Sequence, residues 1–111
     1  MSTMYVISGD SLGRGDDSLG RRLMVKFVQQ LTALTPQPHA VAFYNAGVNL
    51  LVPSSPVVDA FRTLEADGVD LMACATCLDH FQVRDTVVVG RASDMREIMS
   101  AMATSEKVIV V

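Results

Sequence analysis

The sequence predicts a single α/β domain built on a parallel sheet. Three observations predict it. Short apolar runs alternate with longer segments whose apolar residues recur every three or four positions. Gly, Pro, Asn or Ser marks nearly every junction between them. No internal repeat, low-complexity tract or linker interrupts the 111 residues, so one domain spans 1–111. Strands alternating with helices imply right-handed crossovers, hence parallel strands covered on both faces.

The elements follow in order. Met4-Tyr5-Val6-Ile7, flanked by Ser and Gly, reads as a buried first strand. A glycine-rich loop from Gly9 to Gly15 follows, with Asp16 and Asp17 at its far end. Leu19, Leu23, Phe27, Leu31 and Leu34 then form the apolar stripe of a helix, with Met24 and Val28 beside it. The two acids fall in its first turn, where they complement the helix dipole. Thr35-Pro36-Gln37-Pro38 ends it. His39–Tyr44 is the second strand, closed by Asn45-Ala46-Gly47, and Val48–Val52 has no decisive pattern. Ser55-Pro56 predicts a helix start, a capping residue followed by proline in the first helical position. Val58, Phe61 and Leu64 make its apolar stripe and Gly68 closes it. Val69–Ala73 is the third strand and runs directly into Cys74-Ala75-Thr76-Cys77-Leu78-Asp79-His80. Val87-Val88-Val89 is the candidate fourth strand. Ser93-Asp94 caps a last helix carrying Met95, Ile98, Met99 and Met102, and Val108–Val111 is the final strand.

Composition narrows the function. Nine basic against twelve acidic residues give a net charge of −3, which argues against nucleic acid or an anionic membrane as partner. No apolar run exceeds five residues, too short for a membrane span or a signal peptide, so a cytoplasmic protein is expected. Two cysteines three positions apart cannot staple a fold, so their purpose is chemical. With 50% hydrophobic residues in a small chain, some surface should be covered by self-association.

The chemistry-bearing residues gather at one place. In open α/β sheets ligands sit beyond the carboxyl ends of the strands. The Gly9–Gly15 loop, Asn45–Gly47, Cys74–Cys77 and Gly90–Ser93 all fall on that edge. The glycine loop fits neither dinucleotide nor P-loop signature: Ser18 stands where a third glycine belongs, and Arg14 where a P-loop has glycine. It remains a flexible turn or an anion cradle. The cysteine pair leaves four readings open: a zinc site, two inert buried thiols, a redox dithiol and a sulfur-carrying thiolate. Zinc needs about four ligands, and His39 lies at the far end of its strand, leaving only His80 nearby. No metal or cofactor is therefore expected. A cysteine where a strand passes into a helix meets unpaired amides and the dipole's positive end, which predicts a lowered pKa at Cys74 in an open cleft. His80 could shuttle a proton or simply face solvent.

The motifs SGDSLGRGDDSLGRRLM, FYNAGV, CATCLD and SDMREIMSAMATSEKVIVV occur in this order, and together they resemble the DsrE/DsrF-like sulfur-relay family. The likeness is greatest to the DsrE-like domain of YedF proteins, which are linked to selenium metabolism. The resemblance implies a three-layer α/β/α domain with a five-stranded, mostly parallel sheet, the DsrEFH-like fold. It also implies a homo-trimer or hexamer and a persulfide carried on a cysteine after a central strand. That carrier matches Cys74, with Cys77 as a second cysteine able to resolve it. Asp10, Gly13, Asn45, Gly47 and Thr76 would surround the bound sulfur.

Sulfur-donor and sulfur-acceptor proteins are the implied partners; the rival reading is a non-catalytic oligomeric or redox-sensing module. Two departures stand out. Phe81-Gln82 replaces an Arg-Gly pair common in relatives, leaving Arg84 as the nearest arginine. YedF proteins usually carry a preceding TusA-like domain, whereas this chain starts at its first strand, so the donor is expected to come from elsewhere.

Overall fold

The computed structural model describes residues 2–111. Five strands, β1 (Thr3–Ile7), β2 (Ala40–Phe43), β3 (Asp70–Cys74), β4 (Arg91–Ser93) and β5 (Lys107–Val110), form one sheet in the order β4-β3-β2-β1-β5. Every pairing is parallel. Helices α1 (Asp17–Ala33), α2 (Val58–Ala66), α3 (Ala75–His80) and α4 (Met95–Thr104) supply the crossovers, and Asn45–Leu51 is a 3-10 segment.

Period-2 alternation divides the core between the two faces. Ile7, Val41, Phe43, Leu71 and Ala73 point to one face and pack with Met24 and Val28 of α1, Phe61 and Leu64 of α2, Leu50 and Leu51 of the 3-10 segment and Leu78 of α3. Met4, Val6, Ala40, Ala42, Met72 and Cys74 point to the other, where Ile98 of α4 is the one fully buried helical partner among the described residues. Phe43 and Phe61 meet edge to face, ring centroids 4.9 Å apart, at the centre of the thicker side.

Local chemistry explains most boundaries. Asp16 caps α1, its side chain accepting the Leu19 N–H at 2.8 Å, and Asp94 caps α4 through Glu97 N–H at 2.8 Å. Arg91 joins β3, β4 and α4: it donates to both oxygens of Asp70 at 2.8 and 2.9 Å and to Glu97 at 2.8 Å. The Arg91 guanidinium thereby holds the Asp70 carboxyl below its usual range.

Four expectations need correction. The fourth strand is Arg91–Ser93, because Val88 N–H bonds Leu51 O outside the sheet and Val89 fills the core. α1 is turned by about one residue: Gly20, Met24, Val28 and Leu31 are buried, while Leu19, Leu23 and Leu34 are exposed. Gly20 explains this, since a Cβ there would overlap the Ser11 hydroxyl, and its absence draws that face onto the preceding loop. α2 begins at Val58, not at Pro56, and Ser55 Oγ instead accepts the Val57 N–H of the preceding turn at 3.2 Å. On α4, Met95 and Met99 are exposed and only Ile98 is fully buried.

Candidate functional site

The cysteines stand where β3 passes into α3. Met72 and Cys74 share a strand face, so the pleat sends the Cys74 thiol under α4, where it is 4% exposed among Met4, Val6 and Ile98. Cys74 is the N-cap of α3, yet its side chain makes no capping hydrogen bond. The open cleft expected at Cys74 is therefore not found there.

Cys77 reaches the cleft instead. One turn into α3 it straddles the sheet edge and packs against both core clusters. It lines an open cavity of about 280 Å³ with Asn45, Thr76, His80 and Phe81. Its Sγ accepts the Asn45 backbone N–H at 3.0 Å. Burial pushes this thiol above the ordinary range, the Asn45 amide pulls it down, and the neighbouring Cys74 thiol pushes it up again, with a net rise. Cys77 thus packs against the cluster that holds Cys74 and lies close enough to feel its thiol.

The other expected site residues divide. Asn45 and Thr76 line the same cleft as Cys77. Gly47 lies behind it, buried, where a Cβ would overlap the Ile7 carbonyl oxygen; its role is to let the loop close against β1. Asp10 does not join the cleft. It borders a separate cavity of about 180 Å³ beside Arg21, Met24 and Leu50. Gly13 is also apart, exposed at φ 82° with open space around it. The β1–α1 loop bends toward α1 because Leu12 N–H bonds Gly20 O at 2.9 Å, and this carries both residues away.

Arg84 does not replace the absent Arg-Gly pair. Its guanidinium grips Asp79 at 2.6 and 2.9 Å through Nε and Nη2, and Nη2 also donates to Ala75 O at 3.4 Å. His39 stays at the amino end of β2, bonded to Ser105 Oγ at 2.7 Å, as its strand position implied. Two further residues wall the cleft: His80, which the sequence offered as a proton shuttle or a solvated residue, and Phe81, which was read only as part of the replaced Arg-Gly pair although it stands four along from Cys77. A larger groove of about 690 Å³, bordered by Arg84, Arg91 and Arg96, had no counterpart in the motifs. No group of His, Cys, Asp or Glu suited to a metal occurs among the described residues. No described helix is long and apolar enough to cross a membrane.

Comparison with known proteins agrees with this architecture. YchN of E. coli superposes with a TM-score of 0.69 at 12% identity, covering all of both chains. MTH1491 of Methanobacterium thermoautotrophicum gives 0.70 at 23% identity, covering 99% of this chain and 98% of that one. BT1422 of Bacteroides thetaiotaomicron gives 0.67 at 12%, covering 99% and 95%. Those likenesses establish the fold. No curated protein matches the sequence. A model of the DsrE/DsrF-like family matches residues 11–111, nearly the whole chain with its cleft and both cysteines. The chain belongs to the DsrE/DsrF-like family.

Proposed function

We propose that this protein is a sulfur carrier or transferase that holds sulfane sulfur on the Cys74–Cys77 pair. The family is associated with sulfur relay. The observation that carries the reading is Cys77 Sγ, open to a cleft at the carboxyl edge and bonded by a backbone amide, with a second thiol beside it. The Cys77 thiolate attacks the outer sulfur of a donor persulfide. A Cys77 S–S bond forms, the donor S–S bond breaks, and the donor leaves as a thiolate that takes up a proton. Sulfur moves without net redox change. An acceptor thiolate then removes it by the same displacement.

Cys74 supplies the second thiol. Attack of its thiolate on the inner Cys77 sulfur expels hydrosulfide and leaves a Cys74–Cys77 disulfide, the two thiols providing the two electrons. This reading gives first contact to Cys77 and the buried role to Cys74, the reverse of the order implied by family likeness. Because the Cys77 thiol lies above its ordinary range, loading accelerates with pH through the neutral and mildly alkaline region.

Intact mass after incubation with a small persulfide donor tests it. The wild type should gain one sulfur atom that dithiothreitol removes. Cys77→Ser should not load, and Cys74→Ser should hold the adduct longer. Loading lost in Cys74→Ser and kept in Cys77→Ser restores Cys74 as the carrier. Loss of two hydrogens with no sulfur gained makes the pair a redox sensor.

Finer assignments belong to the same proposal. The GRGDD, NAGV and CATCLD motifs support a YedF-like member, with selenium as an alternative cargo. Donor and acceptor proteins in the cytoplasm would be its partners. Exposed Leu19 and Leu23 on α1 offer apolar surface for a homo-trimer or hexamer. A 12.0 kDa monomer in light scattering would refute the assembly.

A further inference from the structure

Asn45, the second residue after β2, has φ 51°, and Gln82 is the only other described non-glycine residue with positive φ. Most side chains resist that conformation; Asn resists it least, because its short amide can bond the local backbone. Here Asn45 Oδ1 accepts the Ala46 N–H at 2.8 Å. Extended Tyr44 (φ −140°, ψ 170°) presents the Asn45 N–H to Cys77 Sγ at 3.0 Å, and the positive φ of Asn45 turns the chain away immediately after that amide.

The turn is held from both sides. Gly47 N–H bonds Tyr44 O at 3.1 Å, and Gly47 itself lies so close to Ile7 that a side chain would not fit. Leu78, next to Cys77, is anchored in the core and fixes α3 opposite the loop. Around the sulfur, Cys74 approaches from β3, His80 lines the cleft from α3, and Tyr44 packs nearby on the α4 side. No Lys, Arg, Asp or Glu lines the cleft, and Arg84 is held by Asp79 outside it. The Asn45 amide is therefore the fixed dipole that favours a negative sulfur.

We propose that Asn45 is a positioning residue: its left-handed turn diverts the chain just after its amide and so keeps that N–H on the Cys77 sulfur, stabilising charge on that atom or on a sulfur attached to it. The inference deepens the sulfur-relay reading, but its test uses no donor and is decided separately.

The test is the pH profile of iodoacetamide alkylation at Cys77, followed on its own peptide in the full chain. Asn45→Gly accepts the same backbone conformation and should reproduce the wild-type profile. Asn45→Val disfavours it and should move the profile upward by roughly half to one pH unit, slowing alkylation at pH 8 about threefold to tenfold. If the valine variant does not fold, Asn45→Ala should move the profile in the same direction by less. Valine and alanine profiles that superimpose on wild type overturn the proposal. So does a glycine profile displaced as far as the valine one.

Discussion

The two faces of the sheet are unequally covered. Among the described residues, eighteen buried side chains form the cluster under α1, α2, the 3-10 segment and α3, against seven under α4. The thicker side interlocks aromatic rings from strand and helix; the thinner one relies on Ile98, Met72 and small alanines. Cys74 belongs to the thin face, and Cys77 sits at the rim where the faces meet. The lesson is that three positions along the chain, across one strand-to-helix junction, separate a core thiol from a cleft thiol. Their chemistry follows from packing, since the residue type is the same.

The largest effects should come from paired truncations. Phe61→Ala should cost about 4 kcal/mol and Ile98→Ala about 2–3 kcal/mol in denaturant unfolding, because the thin side has fewer neighbours around the cavity. Equal losses would break the comparison. Asp70→Asn probes the clasp that Arg91 makes between the thin-side helix and the β3–β4 edge. At pH 7 it should cost about 0.5–1 kcal/mol, since both groups are nearly half exposed and screened. The folded-state Asp70 pKa is lowered, so its contribution is full above the unfolded value of about 3.9. It disappears as pH falls below that value through the folded one, and unfolding curves of wild type and variant should converge as the pH is taken progressively below about 4. Smallest of all, Met99→Gln should cost under ~0.5 kcal/mol, because Met99 is 62% exposed. A larger loss that depends on protein concentration would show that a second copy covers the thin face.

The parallel architecture was legible because its signals are local. Apolar runs, capping acids and Gly or Pro junctions each fix an element without reference to its neighbours. What failed depends on partners. Arg91-Ala92-Ser93 is polar and carries no strand signal, yet an edge strand needs only backbone bonds to β3, while the more apolar Val87–Val89 is used as core filling. Leu19 and Leu23 recur at helical spacing on a face of α1 that is not the buried one, and the choice was made by the close approach at Gly20. That Cys77, Asn45 and Thr76 share one cleft could be read from strand ends alone. Which thiol meets solvent could not: strand parity puts Cys74 beside Met72, but α4 decides that this face is closed. Asp10 and Gly13 stand apart from that cleft because loop direction is set by the Leu12–Gly20 bond rather than by the strand before it.

The chain's two ends leave the sheet on opposite edges. β1 and β5 run side by side in parallel: Lys107 N–H bonds Ser2 O at one edge, while Ser8 N–H bonds Val111 O at the other. A peptide fused ahead of residue 2 would therefore attach about 13–17 Å, the rise of a five-residue strand, from the edge that carries Cys77. A peptide fused after Val111 would emerge on that same edge, three strand spacings or about 14 Å to the side of β3. An affinity handle placed at the amino end keeps clear of the cleft, and one placed at the carboxyl end shares its entrance.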